Sequence, residues 1–130
     1  MGSINLPDLD IKEEQHQRDV VEWFYWQYPQ FAGLLAAFNN SEYVSDPKKR
    51  KMVGAKRRAI GVVAGMPDLI LLLPRAPYHA YFIEMKTLKG KLSDKQKSQH
   101  IILKKAGYKV DTAYGFEHAS LLIKDYIAAP

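Results

Sequence analysis

Apolar positions change period several times along the chain, and each change predicts an element. From Asp10 to Tyr28, the residues Val20, Val21, Phe24, Tyr25 and Tyr28 recur at three- and four-residue spacing. That pattern predicts a helix, which Pro29 stops. Phe31–Phe38 is short and apolar and predicts a strand, with a turn to follow at Asn39-Asn40-Ser41. Asp46-Pro47 supplies a capping acid and a first-turn proline, so a helix is expected through KKRKMVGAKRRAI to about Gly61. Its apolar content is only Met52, Val53, Ala59 and Ile60, so this helix is expected to be weakly anchored and mobile without a partner. Gly61–Gly65 predicts a glycine-bounded turn or short strand.

The second half is more regular. Leu69–Leu73 is a continuous apolar run, suited to a strand covered on both faces. Pro74 and Pro77 mark a turn, and Tyr81–Met85 is the next strand, close enough for an antiparallel hairpin. Ser93 caps a helix over Asp94–Lys105 that Gly107 closes. Tyr108–Tyr114 alternates as a strand, and Glu117–Ala128 predicts an amphipathic helix carrying Leu121, Leu122 and Ile123. This order predicts an α/β domain, a mixed sheet flanked by helices. Residues 1–10 carry no such pattern and are expected to form a flexible N-terminal segment.

Composition narrows the class. At 130 residues the chain fits one domain with a proper core, with 47% hydrophobic and 25% charged residues. It has no cysteine, which excludes disulfides, thiolate catalysis and cysteine-ligated zinc. No apolar run approaches the ~20 residues of a membrane span. No basic segment leads into an apolar one at the start, and Leu6 breaks the myristoylation pattern. An intracellular home, cytoplasm or nucleoid, is therefore expected, and a phage-encoded origin is compatible with it.

The formal net charge is +5, and its distribution tells more than its sum. Glu42–Arg58 holds seven basic residues, Lys48, Lys49, Arg50, Lys51, Lys56, Arg57 and Arg58, against two acids. Lys86–Lys105 holds seven more, among them Lys89, Lys91 and Lys95, against Asp94 alone. Together these segments contain 14 of the 19 basic residues and 3 of the 14 acids, leaving the remainder at −6. Charge segregated this way commonly neutralises phosphates, although either block by itself could be a solvated helix face.

Three ionisable residues sit where two apolar strands meet their loops. Asp68 opens the first strand, directly after Gly65-Met66-Pro67, and Glu84 and Lys86 end the second. Glu84 and Lys86 are two apart, so they leave the same strand face. In a hairpin the start of one strand lies beside the end of the next, so Asp68 and Glu84 are expected to be neighbours. Paired carboxylates repel unless a divalent cation lies between them. A lysine beside them would offset the repulsion and orient water, while Met85 turns into the core and leaves its carbonyl toward the site. Such a set suits metal-assisted phosphodiester hydrolysis. The plainer alternative is an exposed pair at a strand end plus a turn aspartate. The convergence of all three beside two basic blocks disfavours it.

These residues resemble the PD-(D/E)xK nuclease signature, and the longer strings resemble its VRR-NUC branch. The strings are GVVAGMPDLIL (61–71), FIEMKTLKGKLSDKQ (82–96), LKKAGYKV (103–110) and EQHQ (14–17) with VVEW (20–23). The likeness runs from about Lys12 to Ile127 and implies a restriction-endonuclease-like fold. It also implies that Asp68 and Glu84 ligate Mg2+ or Mn2+ with the Met85 carbonyl, and that Lys86 is the catalytic lysine. Glu14, seven residues before Val21, would ligate directly or through water. It is preferred to the adjacent Glu13 because its spacing to Gln17 fits the family helix. Gln96 matches a glutamine that family members place beside the site as a positioning group. The likeness further implies a small homodimer resembling Holliday-junction resolvases. Such an enzyme would cut branched or duplex DNA to 5′-phosphate and 3′-hydroxyl ends, with no small-molecule substrate and no membrane partner.

Two other readings compete: a basic DNA-binding module on the same fold that does no chemistry, and a base-specific restriction-type enzyme. The complete acid–acid–lysine set disfavours the first, and the short chain leaves little room for the recognition module of the second. His16, His79, His100 and His118 show no ligand spacing and are expected at the surface or its boundary. Trp23, Tyr25, Trp26 and Tyr28 are expected to serve core or dimer packing rather than base stacking. No serine has a base partner that would make it a nucleophile.

Overall fold

Alternation along one strand, β3 (Tyr81–Lys86), divides the molecule into two layers of packing. In the computed structural model, which describes residues 6–38 and 45–130 and their side chains from Lys12 onward, Tyr81, Ile83 and Met85 are completely buried in the larger core. That core also takes Val20 and Phe24 from helix α1 (Leu6–Gln27) and Ala119, Ile123 and Tyr126 from helix α4 (Phe116–Ala128). The residues between point the other way. Phe82 packs with Leu103 of helix α3 (Asp94–Lys105) and Val110 of strand β4 (Lys109–Tyr114). Glu84 therefore leaves the strand on the α3 side, next to this smaller apolar cluster.

The sheet order is β1-β2-β3-β4, where β1 is Leu35–Ala37 and β2 is Leu69–Leu71. β1 and β2 pair antiparallel, as do β2 and β3, while β4 runs parallel to β3 with Glu84 opposite Thr112. The hairpin expected from the prolines is thus present, with Leu69 opposite Ile83. Both early strands are shorter than their apolar runs. Pro29–Phe31 forms a 3-10 turn and Gly33 takes a φ of 86°, so pairing starts only at Leu35.

Helix boundaries follow local chemistry. Asp46 caps helix α2 (Pro47–Ala59), its Oδ1 accepting from the Lys48 N–H at 2.9 Å. No residue of α2 is buried, in line with its polar sequence. Ser93 caps α3 in a reciprocal box with Gln96, and Gly107 follows at a φ of 98°. α1 begins at Leu6, so residues 6–9, expected to be part of a flexible segment, continue this helix instead. The turn expected at Asn39-Asn40-Ser41 lies outside the described residues. Among the described residues no helix is long and apolar enough to cross a membrane.

Candidate active site

The turn before β2 and the end of β3 meet as the hairpin register requires. The Met85 backbone N–H donates to Asp68 Oδ2 at 2.7 Å, which fixes the aspartate against the neighbouring strand. The Phe38 N–H donates to the Asp68 carbonyl at 2.9 Å and secures the same turn from β1. Asp68 lies beside Glu84, close enough for its carboxylate to raise the Glu84 pKa. Met85 is entirely buried in the core, as its alternate position on the strand demands.

Glu84 is 1% exposed, which is unusual for a carboxyl group. Burial is the largest of the effects that push its pKa up to about 10, followed by the hydrogen bond and charge of Asp68; Lys86 opposes them and Glu13 adds to them. From α3, His100 Nε2 lies 3.3 Å from Glu84 Oε1. His100 is itself buried, and its pKa is lowered by that burial and then by Lys104 and Lys86. Burial thus drives both groups toward their neutral forms, so the contact is a hydrogen bond rather than an ion pair. Its location overturns the expectation of a surface or boundary histidine. His100 follows Gln96 by four and precedes Leu103 by three, on the inward stripe of the helix.

An open cleft of about 460 Å3 lies over this pair. Asp68, Glu84, Glu13 and Gln96 line it, facing Gly54, Arg57 and Arg58 of α2, with Lys95 at its side. The loop Val62–Met66 also lines it. Gly65 holds that loop against α3: it has a φ of 82°, and a Cβ there would lie 2.5 Å from the Lys95 carbonyl oxygen. Only glycine permits this approach. Gln96 reaches the cleft while its Oε1 accepts from the Ser93 N–H at 2.8 Å, so its side chain also caps α3.

Lys86 is largely buried, and its Nζ lies 4.0 Å from Glu13 Oε1. Glu13, and not Glu14, is therefore the α1 acid that faces the site. Glu14 instead pairs with Arg18 at 2.9 Å and is more than half exposed, on a different part of the surface. The reason is helix phase. The stripe of α1 that reaches the core is Val20 and Phe24, both fully buried, and Glu13 is two turns before Val20. Counting from the half-buried Val21 selects Glu14 and misses by one residue.

The basic residues divide into two groups. Arg57, Arg58 and Lys95 line the cleft, whereas Lys48, Lys49, Arg50, Lys51 and Lys56 are exposed on α2 without lining it. Lys89 and Lys91 are exposed on the loop after β3. Of the remaining histidines, His79 is exposed, while His16 and His118 are half-buried. Trp23 joins the core edge against Tyr28 and Phe116, but Trp26 is 82% exposed.

Among the described residues no three acids or histidines converge as a preformed metal cage. The donors present are nevertheless hard oxygens, the carboxyl groups of Asp68 and Glu84. Magnesium is commonly held by one or two carboxylates, with waters and substrate phosphate completing its shell. A buried, carboxylate-flanked Glu84 is also costly to ionise unless a cation compensates it. The residues therefore fit a divalent cation.

A mixed sheet with an aspartate opening one strand and Glu-x-Lys ending its neighbour defines a nuclease domain of the PD-(D/E)xK superfamily. The VRR-NUC domain model matches residues 11–117, and the chain belongs to that family. A solved VRR-NUC domain protein is similar over 89% of this chain and 88% of its own, with 28% identity and a TM-score of 0.73. A second solved VRR-NUC domain, 22% identical, shares the fold at a TM-score of 0.53, over 88% of this chain and 97% of its own. No curated protein matches.

Proposed function

We propose that this nuclease-family domain is a divalent-metal-dependent endodeoxyribonuclease that acts on branched DNA, four-way junctions foremost, as a homodimer. The observation that carries the chemistry is the placing of Asp68, bonded to the Met85 N–H, beside the buried Glu84 in one cleft with Arg57, Arg58 and Lys95. Asp68, Glu84 and the Met85 carbonyl would hold the cation. When bound, Mg2+ or Mn2+ supplies Lewis acidity, neutralising phosphate charge and acidifying water. The chain's own residues do the rest. Arg57, Arg58 and Lys95 draw the DNA backbone into the cleft. Lys86 offsets the negative charge of the carboxylates and supports charge developing on the phosphate. Glu13 holds the Lys86 ammonium toward that position, and Gln96, fixed by its capping bond, positions the cleft wall.

Substrate and assembly rest on symmetry. A four-way junction presents two equivalent strands to cut, which suits a twofold enzyme. Exposed basic side chains along α2 suit backbone contact more than base reading. The test is a labelled four-way junction beside a 5′ flap and plain duplex, with Mg2+ or Mn2+. Paired symmetric nicks in the junction support the proposal, and equal cutting of all three removes the structural selectivity. A sedimentation profile with only monomer at micromolar concentration contradicts the dimer.

A further inference from the structure

The buried histidine of α3 is not needed by the reading above, yet it touches the most buried acid of the site. We infer that His100 is a positioning residue. It donates from Nε2–H to Glu84 Oε1 and fixes the carboxyl group in the orientation that a divalent cation requires. This inference rests on the proposed metal-dependent reading.

Three observations support it. His100 Nε2 and Glu84 Oε1 are 3.3 Å apart, and both residues are almost wholly buried, so no water competes for the hydrogen bond. The bond joins separate elements, β3 and α3, and α3 is held in place independently by its Ser93–Gln96 box and by Gly65 against its first turn. The imidazole therefore sits on a rigid support. Asp68, fixed by the Met85 N–H at 2.7 Å, lies beside the same carboxyl group and acts on it from the β2 turn. A ligating carboxylate held by an outer hydrogen bond binds its metal more tightly, and removing that bond typically costs about 10- to 100-fold in metal affinity or activity. The donation also serves either state of Glu84, because a carboxyl group and a carboxylate both offer an acceptor oxygen.

The test compares wild type, His100→Gln and His100→Leu by calorimetric titration with Mn2+ alone, with melting temperatures measured in chelator. Glutamine keeps an N–H donor, and leucine keeps bulk without one. The expected result is that His100→Leu still folds, melting somewhat lower for the lost buried hydrogen bond, and binds Mn2+ at least about tenfold more weakly, while His100→Gln stays within about threefold. Equal Mn2+ affinity for wild type and His100→Leu overturns the inference and leaves the metal reading intact. A wild type that binds no Mn2+ overturns the metal reading and the inference with it. A second measurement covers a leucine variant that fails to fold. In wild type, 15N spectra of the ring should show His100 protonated at Nε2, and a bare Nε2 overturns the donor role.

Discussion

Replacing Glu84 with glutamine should raise the stability of the metal-free protein, and the gain should grow with pH. Burial and Asp68 hold the Glu84 carboxyl up at about 10, against an ordinary 4.5. The folded protein therefore keeps a proton that the unfolded chain releases. Stability linked to that proton is fully present below the unfolded value and is lost as pH rises through the window up to about 10. Each pH unit inside the window removes at most about 1.4 kcal/mol, so going from about pH 6 to about pH 8 removes up to about 3 kcal/mol. The amide of Glu84→Gln has the carboxyl's shape and no proton to release. Its oxygen can accept from His100 and its NH2 can donate to Asp68. For a chain of this length 1 kcal/mol corresponds to about 3–5 °C. In chelator, the melting-temperature gap between variant and wild type should therefore widen with pH, by up to about 9–15 °C over that range. His100 contributes with the opposite sign, because its lowered pKa makes its share grow as pH rises, and it cancels between the two proteins. Millimolar Mn2+ should then raise wild type alone, since only the carboxylate can bind it. Melting temperatures that run parallel from about pH 6 to about pH 8 would show that Glu84 keeps no extra proton in the folded protein.

The remaining predictions concern the cleft wall and the α1 acid. Glu13→Gln should lower the cleavage rate at least about tenfold, whereas Glu14→Gln, which removes only an exposed pair with Arg18, should change rate and stability little; single-turnover assays decide between them. Gly65→Ala should cost at least about 2 kcal/mol, read as a lower urea midpoint, because it combines a positive φ with a 2.5 Å clash on the Lys95 carbonyl. Arg58→Gln with Lys95→Gln should weaken DNA binding evenly across sequences and reduce the salt slope by about one for each phosphate no longer neutralised.

The parts that sequence determines locally were legible. Ser93, Gln96 and Gly107 fix both ends of α3 by backbone hydrogen bonding, and Asp46-Pro47 fixes the start of α2, so neither needs tertiary context. Asp68 and Glu84 could be paired because strand ends in a hairpin have few alternative neighbours. The choice between Glu13 and Glu14 was not legible, since Val20 and Val21 are both apolar and give two phases for α1; packing against β3 and α4 selects Val20. His100 was obscured for another reason. A lone histidine on a largely polar helix carries no sign of burial until Glu84 is known to project toward that helix. The ends of β1 and β2 depend on where pairing partners stop, which the apolar runs do not record.

Asp68 and Glu84 are proposed to form a metal-dependent phosphodiester-cleaving site. The most direct measurement is single-turnover cleavage of a labelled four-way junction in Mn2+ and in EDTA, with wild type beside Asp68→Asn. Wild type should cut in Mn2+ only, and Asp68→Asn should be slower by more than about a hundredfold with junction binding retained. Metal-dependent cutting by Asp68→Asn at the wild-type rate would contradict the proposed site, as would tight junction binding by a wild type that never cuts.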